Sequence, residues 1–319
     1  KSLGNGIDPL AMTAKYGTDA LRVALIAGTT PGNDSRLYEE KISSYRNFVN
    51  KIWNVARFVL ITEDTEKTKN IESQKTHNAD SLTDAWFKSR IAKVTEEVTG
   101  HLEQYQFSLA SERAYDFLWH ELADWYIEIN KFQPNPTLVR HGLETALKLL
   151  HPFVPFVTEA IWQELYPGEL LMMTPWPKTN GIDRDAKVEE QFAAVQDIVT
   201  QIRNLRGQYK IPYTKQFNVY GQNVSAEVQQ IIEQLCKVKL VNTSAPTGDT
   251  TDIINTTYHL IVSLGDLIDV TAEKQRLEKE LAQLEKYITN QERKLGNQEF
   301  TDKAPVEIVE KETANLEQK

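Results

Sequence analysis

Apolar residues recur every three or four positions through most of the first two thirds of the chain. In "GIDPLAMTAKYGTDALRVALIAG" this spacing predicts two short helices, one capped by Asp8 with Pro9 in its first turn, the next capped by Thr18. "TTPGNDSR" breaks the pattern, and a long amphipathic helix is expected from about Leu37 to Ile61. The "TEDTEKTKNIESQKTHNADS" that follows is polar and poor in large apolar side chains, the composition of a mobile connection. Helical spacing returns between Leu82 and Phe132 and from Thr137 to Tyr166 (Ala85, Ile91, Val94, Val98; then Phe117, Leu118, Leu122, Trp125), as in an antiparallel bundle. The prolines of "FQPNPT" and "HPFVPF" fall at turns or helix starts. Val188, Phe192, Val195, Ile198, Ile202 and Leu205 form one stripe of a further helix, about Val188 to Arg206.

The period then changes. "KQFNVYG" alternates, "KLVN" is short and β-branched, and "YHLIVSLGDLIDV" is β-rich around a glycine, so a small α/β unit is expected. From Thr271 the pattern is heptad-like: Leu277, Leu281, Leu284, Ile288, Gln291 and Leu295 step by four and three. Gly296-Asn297 stops that helix, "FTDKAP" turns, and Val306, Val309, Thr313 and Leu316 continue in a second. On pattern alone this fits an antiparallel coiled-coil hairpin and a dimerising or fraying tail equally well.

Composition narrows the function classes. A chain of 319 residues, 40% hydrophobic and 25% charged, can build two or three domains with ordinary cores. No window approaches the apolar length of a membrane span and no signal-peptide order opens the chain, so a cytoplasmic location is expected. With Cys236 as the one cysteine, neither an intrachain disulfide nor a thiolate zinc cluster can form. His120-Glu121 opens an HExxH-like pattern, but Asp124 stands where the second histidine belongs, so no metal is expected. No G-x-S-x-G elbow, Walker loop or dinucleotide fingerprint is present.

A net charge of -9 argues against broad nucleic-acid affinity, yet the cations are clustered. From Arg36 to Phe58, Arg36, Lys41, Arg46, Lys51 and Arg57 face only Glu39 and Glu40; from Ile198 to Ala226, Arg203, Arg206, Lys210 and Lys215 meet no acid. At 100° per residue, Ile42, Tyr45, Val49, Ile52, Ala56 and Val59 share one face of the long helix, and Asn47, Lys51, Asn54 and Phe58 lie in a narrow stripe opposite. An aromatic ring among amides and a lysine suits unstacked RNA bases. The other arrangement open to it is Phe58 tucked beneath the polar connection. Trp119, Trp125, Tyr126, Phe153, Phe156 and Trp162 are expected in the core.

The opening "KSLGNGIDPLAMTAKYGTDALRVAL" resembles the signature loop of class I aminoacyl-tRNA synthetases, with Lys1 and Ser2 at the last two positions of Lys-Met-Ser-Lys-Ser. "YRNFVNKIWNVARFV", "WHELADWYIEINK" and "LHPFVPFVTEAIWQEL" are similar to the anticodon-binding bundle of the valine and isoleucine branch. "KLGNQEFTDKAPVEIVEKE" resembles the C-terminal coiled coil of the valyl-tRNA synthetase family, and a single cysteine cannot supply the zinc module in which isoleucyl enzymes commonly end. The resemblance implies a mainly α fold: an antiparallel helical bundle, then a small α/β unit and a C-terminal coiled-coil hairpin. It also implies four parts, 1–35 as the remnant of a catalytic domain, 36–180 as the anticodon-binding domain, 181–270 as the α/β domain and 271–319 as a tRNA-binding arm.

The implied activity is ligation of valine to its tRNA with ATP and magnesium, in a longer, monomeric protein of which this chain is a fragment. The fragment itself is expected to bind tRNA and no cofactor. Lys1 is implied in catalysis, and Lys1 with Ser2 in ATP binding. Lys51 and Phe58 match positions that lie at the anticodon in the valyl family; Arg46, Asn47 and Asn54 join them as tRNA contacts, with Arg203, Arg206 and Lys210 next in order and Lys286, Arg293 and Lys294 on the arm. The asparagine between glycine and aspartate in "TTPGNDSR" departs from the family pattern. A free-standing RNA-binding or regulatory module, a heptad-mediated scaffold, or the isoleucyl-type equivalent are the alternatives.

Overall fold

The computed structural model describes residues 6–29, 32, 37–68, 81–179, 181, 184–243, 247–267 and 270–295. It is mainly helical, with one small mixed sheet. The described residues form two compact units. One comprises those up to Thr200 with Ser225–Cys236 and Asn255–Thr257; the other comprises Gln201–Val224, Lys237–Ile254 and those from Tyr258 on.

The first unit opens with α1 (Pro9–Tyr16) and α2 (Thr18–Ile26). Asp8 caps α1 as the sequence suggested, accepting from Leu10 N–H. Thr18 is not a cap: Gly17, at φ 90, holds the N-cap position in a conformation that glycine adopts cheaply, and Thr18 is the first helical residue. The buried Asp19 of α2 then caps a distant helix, α8 (Pro155–Leu165), accepting from Phe156 and Val157 N–H at 3.2 and 2.7 Å. Arg22 donates to the carbonyls of Pro152 and Phe153, so the "DALR" segment fixes the chain entering α8.

Helix α3 (Glu39–Thr68) is longer than its apolar stripe predicted. "TEDTEKT" contains no glycine or proline to break the helix, which continues past Ile61 into what reads as connection. The rest of the expected connection, 69–80, lies outside the described residues.

The bundle continues with α4 (Leu82–Glu103), α5 (Phe107–Asp116), a π-helix over Phe117–Ile127, α6 (Glu128–Asn130) and α7 (Pro136–Leu150). Its centre is an aromatic stack: the Phe87 ring centre lies 3.8 Å from that of Tyr126 and 5.8 Å from that of Phe117, nearly parallel to both. The buried Tyr126 hydroxyl donates to Asp84, whose other oxygen accepts from Asn135, the residue that caps α7. Of the six aromatics expected inside, Tyr126, Phe153 and Trp162 are buried and Trp119 and Trp125 half-buried, but Phe156 is 62% exposed. It occupies the first turn of α8, whose backbone rather than side chain faces Asp19.

Gly142 in α7 shows packing overriding propensity. A Cβ there would sit 2.6 Å from two carbons of the Phe87 ring, which Tyr126 and Phe117 hold in place. Alanine gains about 1 kcal/mol of helix propensity, but overpacking costs about 1–3 kcal/mol. Gly142→Ala is therefore expected to lower stability by about 1 kcal/mol, as a drop in the urea midpoint.

Helix α9 (Ala186–Gln208) matches its predicted stripe, with Phe192, Val195, Ile198 and Ile202 fully buried. The second unit holds the sheet: β1 (Phe217–Gly221), β2 (Val238–Val241), β3 (Thr250–Ile254) and β4 (His259–Ser263), in the order β2-β1-β4-β3. β1 and β2 are parallel, Phe217 opposite Val238; β1–β4 and β3–β4 are antiparallel. The connection from β1 to β2 runs through α10 (Ala226–Cys236), as a parallel pair demands. After α11 (Leu264–Leu267), α12 (Val270–Leu295) carries the first heptad helix, with Leu281 and Leu284 exposed. The predicted second helix, and with it the hairpin, lies outside the described residues.

Candidate nucleic-acid interface

The interface is built on α3. Its buried side is Ile42, Phe48, Ile52, Val55, Ala56 and Val59, so Tyr45 and Val49, expected on that stripe, stand at its edge. The solvent side differs from the predicted one by about a quarter turn. Asn47 and Asn54 are exposed, Lys51 and Phe58 half-buried, and the most open line runs through Arg46, Asn50, Trp53 and Arg57. Trp53 is 47% exposed. Asn50, Trp53 and Arg57 thus belong to the candidate site although the helical wheel passed over them. The signal was a tryptophan three or four residues from an asparagine and an arginine, outside the apolar stripe.

Lys51 does not stand alone. Its Nζ lies 3.3 Å from Asp124 Oδ1 and 5.2 Å from the centre of the Trp119 ring. Trp119 in turn stacks on Tyr115, with centroids 5.5 Å apart, and both rings meet the buried Phe48. That Trp119 and Asp124 serve the same lysine follows from the π-helix. On an α-helix two residues five apart point about 140° apart, whereas i→i+5 bonding stacks them on one face. His120 pairs with the other Asp124 oxygen at 3.3 Å, so the HExxH-like string contributes to this polar edge. Among the described residues no cluster of three His, Cys, Asp or Glu could hold a metal ion.

The cations are not equally available. Lys41 is spent inside the fold, donating to Ala27 O at 2.7 Å. Arg46 and Arg57 are exposed and form no ion pair with a described residue. A cleft of about 380 Å³ beside Tyr45 and Tyr115 is lined by Glu112 and Asp116, charges that repel phosphate.

Elsewhere the candidates separate. Arg203 and Lys210 are exposed, Lys210 at φ 51 just past the end of α9. Arg206 is a correction: it is 6% exposed, and its guanidinium donates to the carbonyls of Pro212, Lys215 and Lys237 at 3.0, 2.9 and 2.7 Å above the Phe217 ring. A buried guanidinium bonded to three carbonyls against an aromatic face joins segments of the fold and is withdrawn from any phosphate outside. Lys286 and Arg293 are exposed on α12. The Lys294 side chain, and Lys1 and Ser2, lie outside the described residues. No described helix is long and apolar enough to cross a membrane.

Two family models match parts of the chain, neither of which includes α3, and a set of relatives matches nearly all of it. Residues 84–220 match the anticodon-binding domain of tRNA ligases, and residues 269–319 match the valyl tRNA synthetase tRNA binding arm. Over 99% of its length the chain is 35% identical to the valine--tRNA ligase of Thermotoga maritima, covering 37% of it. The corresponding ligase of Carboxydothermus hydrogenoformans is also 35% identical over 99% of the chain, which covers 38% of it. That of Oceanobacillus iheyensis is 34% identical over 98% of the chain, which covers 37% of it. The chain thus spans a little over a third of the length of the curated relatives it matches.

Proposed function

We propose, from the premise that the chain belongs to the valyl-tRNA synthetases and corresponds to their C-terminal portion, that it is the tRNA-gripping part of a cytoplasmic, monomeric ligase that joins valine to its tRNA. The whole enzyme activates valine with ATP and magnesium and transfers it to the tRNA 3′ end. Lys1 and Ser2 are the only residues of this chain assigned to ATP, Lys1 countering charge on the phosphates. By themselves these 319 residues bind tRNA and do not activate valine, so valine-dependent ATP-pyrophosphate exchange is expected to be absent.

The observation that carries the reading is the outer face of α3. In a chain of net charge -9, it sets exposed Arg46, Asn47, Asn54 and Arg57 around the half-buried Phe58 and Lys51. Amides offer hydrogen bonds to base edges, the ring offers a stacking surface and the cations offer phosphate partners. Arg203, Lys210, Lys286 and Arg293 extend the contact to the tRNA body, together with Lys294.

The Lys51–Asp124 pair sharpens the test. Phe58→Ala should lose about 1–3 kcal/mol of tRNA binding, and Lys51→Ala should flatten the salt dependence by about one phosphate contact. Asp124→Asn should do the reverse, strengthening binding and steepening the salt slope by freeing the lysine. Filter binding with a valine tRNA transcript and an anticodon-swapped version checks all three. Equal affinity for the two tRNAs, unmoved by any of these substitutions, would remove the anticodon face from the account.

A further inference from the structure

The cleft of about 380 Å³ opens where α2, α3 and α5 meet. Its floor is apolar, made by the buried Val23 and Ala27 of α2. The half-buried Tyr45 of α3 and Tyr115 of α5 line it, and Glu112 and Asp116 stand exposed at its mouth. Tyr115 is held in place, its ring centre 4.4 Å from that of the buried Phe48 and 5.5 Å from that of Trp119. Burial, reinforced by Glu112 at Tyr45 and by Asp116 and Asp124 at Tyr115, pushes both phenols above their ordinary value, so both are neutral donors at physiological pH.

The charges of the cleft have no counterpart in the protein. Among the described residues the Asp116 side chain forms no hydrogen bond or ion pair, and neither tyrosine hydroxyl is hydrogen-bonded. Glu112 accepts from Gly28 N–H and from the Ser108 hydroxyl, both at 2.8 Å and both through Oε1, and pairs with no described cation. Lys41 lies beside Ala27, but its ammonium donates to that residue's carbonyl at 2.7 Å. Two uncompensated carboxylates, two aromatic rings and an apolar floor together suit a cation with an apolar body.

Spacing narrows the class. Glu112 and Asp116 are four residues apart on α5, which sets their Cβ atoms on one face about 5–6 Å apart. An extended chain reaches about 1.2 Å per bond, so two ammonium groups separated by about three or four methylenes span that distance. We infer that this cleft binds a small alkyl diamine or polyamine, one ammonium on Glu112 and the next on Asp116, with its methylenes over Val23 and Ala27 beside the tyrosine rings. A hard metal ion would leave the floor and the rings unused, and a lysine side chain brings one charge to a two-charge site. The site is independent of the proposed tRNA face, whose charges have the opposite sign.

The test is isothermal titration calorimetry of the full chain with spermidine, and with putrescine, butylamine and magnesium chloride as comparison ligands. Spermidine and putrescine are expected to bind one per chain, and butylamine, with a single charge, about fivefold more weakly than putrescine. Asp116→Asn should weaken spermidine about fivefold, and Tyr45→Leu about two- to fivefold, while Tyr45→Phe keeps the affinity. Glu190→Gln removes an exposed carboxylate on α9, makes the same change in net charge as Asp116→Asn, and should leave binding unmoved. Glu112 also holds Gly28 and Ser108 in place, so the test rests on Asp116→Asn, whose side chain has no described partner.

Absence of spermidine binding overturns the site. So does affinity that survives Asp116→Asn, falls equally in Glu190→Gln, or is matched by butylamine, since the amine would then be following net charge and not this cleft. Displacement of spermidine by equimolar magnesium overturns it as well.

Discussion

Arg206→Ala is expected to destabilise the second unit by about 4 kcal/mol or more. Arg206 supplies three charge-assisted hydrogen bonds to backbone carbonyls, and bonds to charged groups contribute about 1.5–3 kcal/mol each. The alanine leaves Pro212, Lys215 and Lys237 O without that donor and uncovers the Phe217 ring. Against a typical stability of about 5–15 kcal/mol, this should appear as an early urea transition with loss of amide protection in β1 and β2. Arg206→Lys should recover only part, because an ammonium is a point charge and cannot span three acceptors as the planar fork does. A variant that folds normally and instead loses salt-dependent tRNA binding would show that Arg206 works on the surface after all.

Arg90→Ala should cost about 3 kcal/mol at neutral pH. Arg90 grips Glu121 with two bonds, at 2.8 and 2.7 Å, and Glu189 at 3.0 Å; Arg113 completes the network to Glu121 and Glu97. These side chains are mostly buried, so removing the arginine takes the two-bond partner from Glu121, which keeps Arg113, and the nearer of two cations from Glu189, which keeps Lys93. The pH dependence has a definite sign. Burial pushes the Glu189 carboxyl up, but the Ser89 hydroxyl with Arg90 and Lys93 outweighs it and the group ends below its ordinary value. A depressed folded pKa means stability that is present above the unfolded carboxyl range and lost as pH falls through the folded value. In the variant Glu189 keeps its burial, the Ser89 hydroxyl and Lys93 but loses the Arg90 cation, so its charged form is held less strongly than in the parent protein. The stability gap between the two proteins should therefore narrow below about pH 4, as read from urea midpoints across pH. A constant gap would assign the network to packing alone.

Helical periods were legible because each is a property of one segment. Asp8 with Pro9, the stripe of α9 and the alternation of β1 each satisfy a local rule that needs no partner. β3 was missed because "TTDII" is polar and largely exposed, and is a strand only by pairing with β4. α10 was not resolved within the α/β unit, although Val228, Ile231, Ile232 and Leu235 recur at helical spacing and are buried. The π-helix carries no signature in "FLWHELADWYI" that separates it from an α-helix.

The site divides in the same way. From the sequence alone came a long helix with one apolar face, a local excess of cations on an acidic chain, and polar and aromatic residues turned away from the core; these depend only on composition and on 100° per residue. Only the tertiary structure decided what those side chains meet. It paired Lys51 with Asp124, turned Arg206 inward onto three carbonyls, and left Trp53 and Arg57 open beside Glu164. A helix's own period fixes which residues share a face, but whether a charge is free or consumed depends on groups that lie far away in sequence and arrive only on folding.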